Sequence, residues 1–132
     1  MVCIYCSGNT QVINSRLQKR ANSVWRRRKC LNCQAVFTTS EVAQYDGSWR
    51  VQSGKQLIAF SRDKLLLSIY ESVRHRPEAL QDASALTETI IGKLRHTASD
   101  GLLTIKDIIV VAQAILNNFD DAAYVHYRAF HQ

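Results

Sequence analysis

The sequence predicts an α+β protein: a small β-rich head held together by cysteines, followed by a larger, mainly helical body. Three observations predict it. All the cysteines fall within the first 33 residues. The first 40 residues are poor in leucine and rich in β-forming pieces. From Ser61 onward, apolar residues recur at helical spacing. A chain of 132 residues has room for a small stapled domain beside a modest core-bearing one. The expected division is 1–45 and 46–132.

In the head, "TQVIN" around Val12–Ile13, "SVWRRR" from Ser23 and "VFTT" at Val36–Thr39 read as short strands. They hold too little apolar material for a self-sufficient core, so another device must stabilise them. Next, "WRVQSGKQLIAF" over residues 49–60 reads as two strands around a Ser53-Gly54 turn, where Gly supplies the backbone angle a tight turn needs. Ser61 caps a first helix with Leu65, Leu66, Ile69, Tyr70 and Val73 on one face, ending near Arg76-Pro77. A second helix carries Leu86, Ile90, Ile91 and Leu94, and "SDG" at Ser99–Gly101 interrupts it. Thr104 starts a third, with Ile105, Ile108, Ile109, Ala112 and Leu116 as its expected buried stripe. A last helix from Asp120 groups Phe119, Ala123, Tyr127 and Phe130. These stripes read as the core of a helical bundle.

Hydrophobic content of 46% excludes wholesale disorder, and no apolar run approaches a membrane span, so no membrane partner is expected. The opening "MVCIYC" has neither a basic n-region nor an apolar h-region, so no signal peptide is read and a cytoplasmic protein is expected. In that compartment thiols stay reduced, and four cysteines suggest a metal before disulfides. Charge is distributed unevenly. Residues 1–50 hold eight Lys/Arg against Glu41 and Asp46, a net +6, whereas residues 51–132 hold nine against nine. This is the pattern of a polyanion-binding head on a neutral body.

The cysteines, Cys3, Cys6, Cys30 and Cys33, form two C-x-x-C pairs. Each short turn aims two thiolates at a common centre, which suits one tetrahedral zinc ion. A single pair could be a redox motif, but two pairs outside a βαβ context argue against that, and an iron–sulfur role is a lesser alternative. With four thiolate ligands there is no open position for a catalytic water, so the zinc is structural, and its binding energy supplies the missing folding energy. Four thiolates with Zn²⁺ add −2, leaving the head at about +4 from its +6.

Arg26, Arg27, Arg28 and Lys29 run directly into Cys30. In a strand, Trp25, Arg27 and Lys29 point one way and Val24, Arg26 and Arg28 the other. Arginine forks suit phosphates and guanine edges. A solvated strand without a partner is the bland reading, but the charge asymmetry favours nucleic acid. Arg16, Lys19 and Arg20 could extend the same surface. Spacing alone leaves DNA and RNA both open.

The ordered set C-x-x-C, "VINSR", "SVWRRRKCLNC", "VFTTSE", then "FSRDKL" (Phe60–Leu65), "VRHRP" (Val73–Pro77) and "DDAAYVHY" (Asp120–Tyr127) resembles the NrdR family over essentially the whole chain. These are bacterial repressors of ribonucleotide reductase genes. The resemblance implies a zinc ribbon that binds double-stranded operator DNA, joined to an ATP-cone. The cone is a small helical domain with a β-hairpin lid that binds ATP or dATP and, as a homo-oligomer, controls DNA binding. It implies Cys3, Cys6, Cys30 and Cys33 as zinc ligands, and Arg16, Arg26, Arg27, Arg28 and the adjoining Lys29 as the DNA surface. It implies Glu41, Val51, Lys64 and Tyr124 as nucleotide contacts. Counting back from Phe60, Gln52 and Ser53 stand where the family's hairpin carries basic residues; by position Gln52 is a further expected nucleotide contact together with Lys55, and Lys55 or Arg50 is left to compensate for the missing charge. The implied location is the cytoplasm, on the nucleoid.

Lys64 falls in the first turn of its helix, where amides and a lysine could together hold a phosphate; without the resemblance a solvated lysine is the plainer reading. Tyr124 alone reads as core. His75, His96, His126 and His131 have no metal-ligand spacing and read as surface or core residues. No catalytic triad, paired-carboxylate arrangement or GxxxxGK[ST] loop is present, so an enzyme is not expected. Two other readings are an RNA- or ribosome-associated zinc ribbon, and an ATP-cone protein acting directly on a reductase.

Overall fold

The computed structural model describes residues 1–132, which divide into two compact units, Met1–Ala43 and Gln44–Gln132. The first is a three-stranded antiparallel sheet in the order β1 (Thr10–Gln18), β2 (Ser23–Cys30), β3 (Val36–Val42). The β1–β2 ladder shifts register between Val12 and Asn14, so Ile13 is the extra residue of a bulge. The β1–β2 turn closes at Asn22 (φ 48°), one of the residue types that tolerates the left-handed region. Only Cys3, Cys30 and Phe37 are buried apolar residues here, with Ala35 packed against them.

The second unit has a small sheet in the order β5 (Gln56–Ala59), β4 (Arg50–Ser53), β6 (Leu102–Thr104), and four helices. These are α1 (Arg62–Val73), α2 (Ala79–Leu94), α3 (Ile105–Phe119) and α4 (Asp121–Phe130). The hairpin pairs Ser53 with Gln56, so its loop is Gly54-Lys55, and Gly54 takes φ +58°. A positive first loop residue matches the twist of two-residue hairpins. Ser61 caps α1 by accepting from the Lys64 amide, Thr104 forms a capping box with Asp107, and Asp120 caps α4 by accepting from the Ala123 amide.

Strand β6 was not legible in the sequence. It is three residues long and pairs parallel with β4, an arrangement that needs α1 and α2 as the crossover. Asp100 and Gly101 turn the chain into it with positive φ. A Cβ on Gly101 would lie 2.9 Å from the Ser48 carbonyl oxygen, and the Gly101 carbonyl accepts from the Arg50 amide. The positive φ and the close approach to Ser48 together require glycine there.

The core is built from Ile69 and Val73 of α1, Ile90 and Leu94 of α2, Leu103, Leu116 of α3 and Tyr127 of α4. Two expected stripes need correction. In α3 only Ala112 and Leu116 are buried, whereas Ile108 and Ile109 are half-buried and Ile105 is 41% exposed. In α4, Ala123 and Tyr127 are buried but Phe119 and Phe130 are 38% and 73% exposed. Periodicity identifies a face; how far that face is covered depends on the neighbouring elements. Arg76 ties three of these together. It donates to Asp82 at 2.7 Å and to Asp120 at 3.1 Å, and lies over the Phe119 ring at 4.5 Å.

Candidate metal centre and flanking sites

The two cysteine pairs lie on matching knuckles. Cys3 and Cys30 each donate their amide to a carbonyl five residues on, Gly8 and Ala35, closing each turn. The residue after each pair, Ser7 or Gln34, sits at positive φ (61° and 65°), which lets the chain reverse tightly. These turns bring all four Sγ atoms within 4.8 Å of one another, with Cys3–Cys33 at 3.7 Å and Cys6–Cys30 at 3.5 Å. A tetrahedral ion with Zn–S bonds of about 2.3 Å separates its sulfurs by about 3.8 Å. The donor set therefore fits zinc.

Amides stabilise the anionic form of the sulfurs. Tyr5 donates to Cys3, Gly8 to Cys6, and Asn32 and Cys33 to Cys30, at 3.3–3.4 Å. The Gly8 amide, with the Asn32 side chain and Cys30, lowers the Cys6 thiol to about 6. The Tyr5 amide, against burial, holds Cys3 below its ordinary value. Cys33 moves the other way. Its Ala35 amide favours the thiolate, but burial and the three neighbouring thiols outweigh it and push the group up to about 11. Four sulfurs this close cannot all carry charge without a cation among them. Gly8 is also a packing requirement, because a Cβ there would lie 2.9 Å from Asn32 Cβ and 3.2 Å from Cys6 Sγ.

Cys30 ends β2, so the metal cluster anchors the strand carrying the basic run. Arg26 donates to Glu41 at 2.9 Å, and Arg28 reaches Thr39 and Thr10, each at 3.4 Å. Arg27 is exposed and Lys29 half-buried, and neither has an ion-pair partner. Arg16, directly opposite Trp25 in the ladder, places its guanidinium 5.8 Å from that ring. The structure thus brings Arg16, Arg26, Arg27, Arg28 and Lys29 onto one small sheet. Lys19 and Arg20 lie exposed in its β1–β2 turn.

Of the expected nucleotide contacts, Val51 and Lys64 share one pocket within the helical unit. Glu41 belongs to the ribbon, paired with Arg26. Val51 and Lys64 line a pocket of about 200 Å³ in the helical unit, walled mainly by Ile58, Phe60, Ile105 and Ile109. Gln52, Lys55 and Tyr124 do not line it. The Gln52 side chain donates to the Gly54 carbonyl at 2.7 Å, Lys55 sits at the hairpin tip, and Tyr124 packs half-buried against the core. The start of α1 is also less bare than expected: Asp46 accepts from the Arg62 amide at 2.8 Å and Ser61 from the Lys64 amide. Sequence reasoning missed Ser68 and His131, which meet at 3.1 Å on the pocket wall. They are 63 residues apart in the chain, and no local pattern links them.

Comparison with known proteins agrees with this arrangement. Residues 1–41 match the zinc-ribbon family model "Transcriptional repressor NrdR-like, N-terminal domain". Proteins named transcriptional repressor NrdR are similar along the full chain. The one from Acetivibrio thermocellus is 31% identical over 133 residues, covering 100% of this chain and 87% of the relative. Those from Psychrobacter sp. and Sinorhizobium fredii are 31% and 32% identical, covering 86% and 84% of their own lengths. These relatives carry the name of a regulator rather than of an enzyme. No helix here is long and apolar enough to cross a membrane. With a four-cysteine ribbon at one end and similarity running through every element to the last helix, the chain belongs to the NrdR family of transcriptional repressors.

Proposed function

We propose that this protein is a nucleotide-responsive repressor, binding operator DNA upstream of ribonucleotide reductase genes through the ribbon and sensing ATP and dATP through the helical unit, read as an ATP-cone of residues 46–132. The observation that carries the reading is the junction at Cys30, where the four-sulfur cluster ends the strand bearing Arg26 to Lys29. Zinc, when bound, supplies a rigid tetrahedral anchor and no catalysis. The chain's own residues do the rest: the strand presents cations to phosphates, and sheet pairing holds them in register.

In the helical unit, the apolar walls formed by Val51, Ile58, Phe60 and Ile109 suit a nucleobase, and Lys64 on the same lining is the cation we assign to a phosphate. One ribbon offers few phosphate contacts, so tight binding requires several ribbons displayed on one DNA face by a homo-oligomer of cones. ATP and dATP then act by binding different cone packings with different affinities. The protein works in the cytoplasm, on the nucleoid.

The test is a gel shift on the host's own reductase promoter with apo, ATP-loaded and dATP-loaded protein, tracking oligomer mass alongside. Retardation and mass that change together with the nucleotide are expected. Absence of saturable ATP or dATP binding would reduce the cone to a scaffold. Inhibition of purified reductase without DNA would move the function from the operator to the enzyme.

A further inference from the structure

The two faces of the ribbon sheet differ in chemistry. Ladder partners share a face, so Arg16, Trp25, Arg27 and Lys29 lie together with Asn14, Thr38 and Ser40. That face carries three cations and no acid. The opposite face carries Arg26 and Arg28, and Glu41 lies with them. There the guanidiniums are already engaged, Arg26 by the Glu41 carboxylate at 2.9 Å and Arg28 by the Thr39 and Thr10 hydroxyls. A phosphate approaching it would meet Glu41's charge and would have to displace these partners. A phosphate approaching the first face meets exposed Arg27, Lys29 without an ion pair, and Arg16 held over an indole.

We infer that duplex DNA docks on the Trp25 face alone. Arg16, Arg27 and Lys29 make the phosphate contacts, and Trp25 acts as the positioning residue that holds Arg16 in the plane of the other two cations. Arg26 and Arg28 brace β2 against β3 and β1 rather than touching DNA. The inference rests on the proposed DNA-binding role of the ribbon and divides the basic run into two jobs.

The test measures the salt dependence of duplex binding by the zinc-loaded full chain, with zinc content per chain as the fold control. Each phosphate contact contributes about 0.9 to the slope of log K against log salt. Arg27→Gln and Lys29→Gln, which remove the charge but leave a polar side chain with part of the aliphatic stem, are each expected to lower the slope by about 0.9. Arg26→Gln and Arg28→Gln are expected to leave it unchanged. Trp25→Ala is expected to lower the slope, and Trp25→Phe to restore it. Slope losses as large on the Arg26 and Arg28 side overturn the one-face inference while leaving the ribbon as the DNA-binding unit. If no substitution on either face moves the slope, the ribbon reading itself fails. Equal affinity and slope on RNA of the same sequence would overturn duplex DNA as the partner.

Discussion

The ribbon buries three apolar residues, Cys3, Cys30 and Phe37, two of which are metal-ligand candidates, whereas the helical unit buries sixteen. The first cannot offset the chain entropy of some forty residues by burial, at about 1–2 kcal/mol for each ordered backbone. The second can, because Ile69, Ile90, Leu94 and Leu116 are fully enclosed and interlock across helices. One region is therefore held by coordination and the other by packing. A single chain can use both because each unit satisfies its own requirement locally.

This contrast can be broken most forcefully by removing the metal. A strong chelator is expected to unfold the ribbon outright, since structural zinc contributes about 10–16 kcal/mol in comparable small domains. The helical unit should keep its far-UV helix signal and its own thermal transition. Loss of both signals together would show that packing in the second unit also depends on the ribbon.

The converse is a core truncation. Leu116→Ala removes a fully buried side chain and is expected to cost the helical unit about 2–5 kcal/mol, read from denaturant midpoints. Zinc stoichiometry should not change. A smaller effect is expected at Asp120. Its carboxylate caps α4 and also accepts from Arg76 and His75, so Asp120→Ala loses the cap, worth about 1 kcal/mol, together with the latch across α1, α2 and the α3–α4 junction. The Ala123 amide, then Arg76 and His75, hold this carboxyl below its ordinary value. The stabilisation is therefore complete above the unfolded value of about 3.9 and disappears as pH falls through the folded one. Acid titration of stability should be shallower in the variant, and identical titration curves would exclude Asp120 as a contributor.

Some of this could be read directly from residue order. Two C-x-x-C pairs predict a four-sulfur centre because the geometry of each pair is local, and the three ribbon strands, the Ser61 cap and the Thr104 start were legible for the same reason. Glu41 shows what a motif does not report. It follows "FTT" as the resemblance requires, yet its place near the end of β3 pairs it with Arg26 in the ribbon. Gln52 illustrates the reverse case: a position expected to reach a ligand is occupied with its own hairpin carbonyl.

Local interactions in the residue order were enough to establish a metal-stapled β head, a helical body and a concentration of positive charge beside the second knuckle. The long-range arrangement settled which of those charges are free. Whether Arg26 is neutralised depends on Glu41, fifteen residues away across a strand pair, and whether Ile105 is core or pocket wall depends on the elements around it. Periodicity and spacing report what one element offers, whereas burial and charge pairing are properties of two elements in contact.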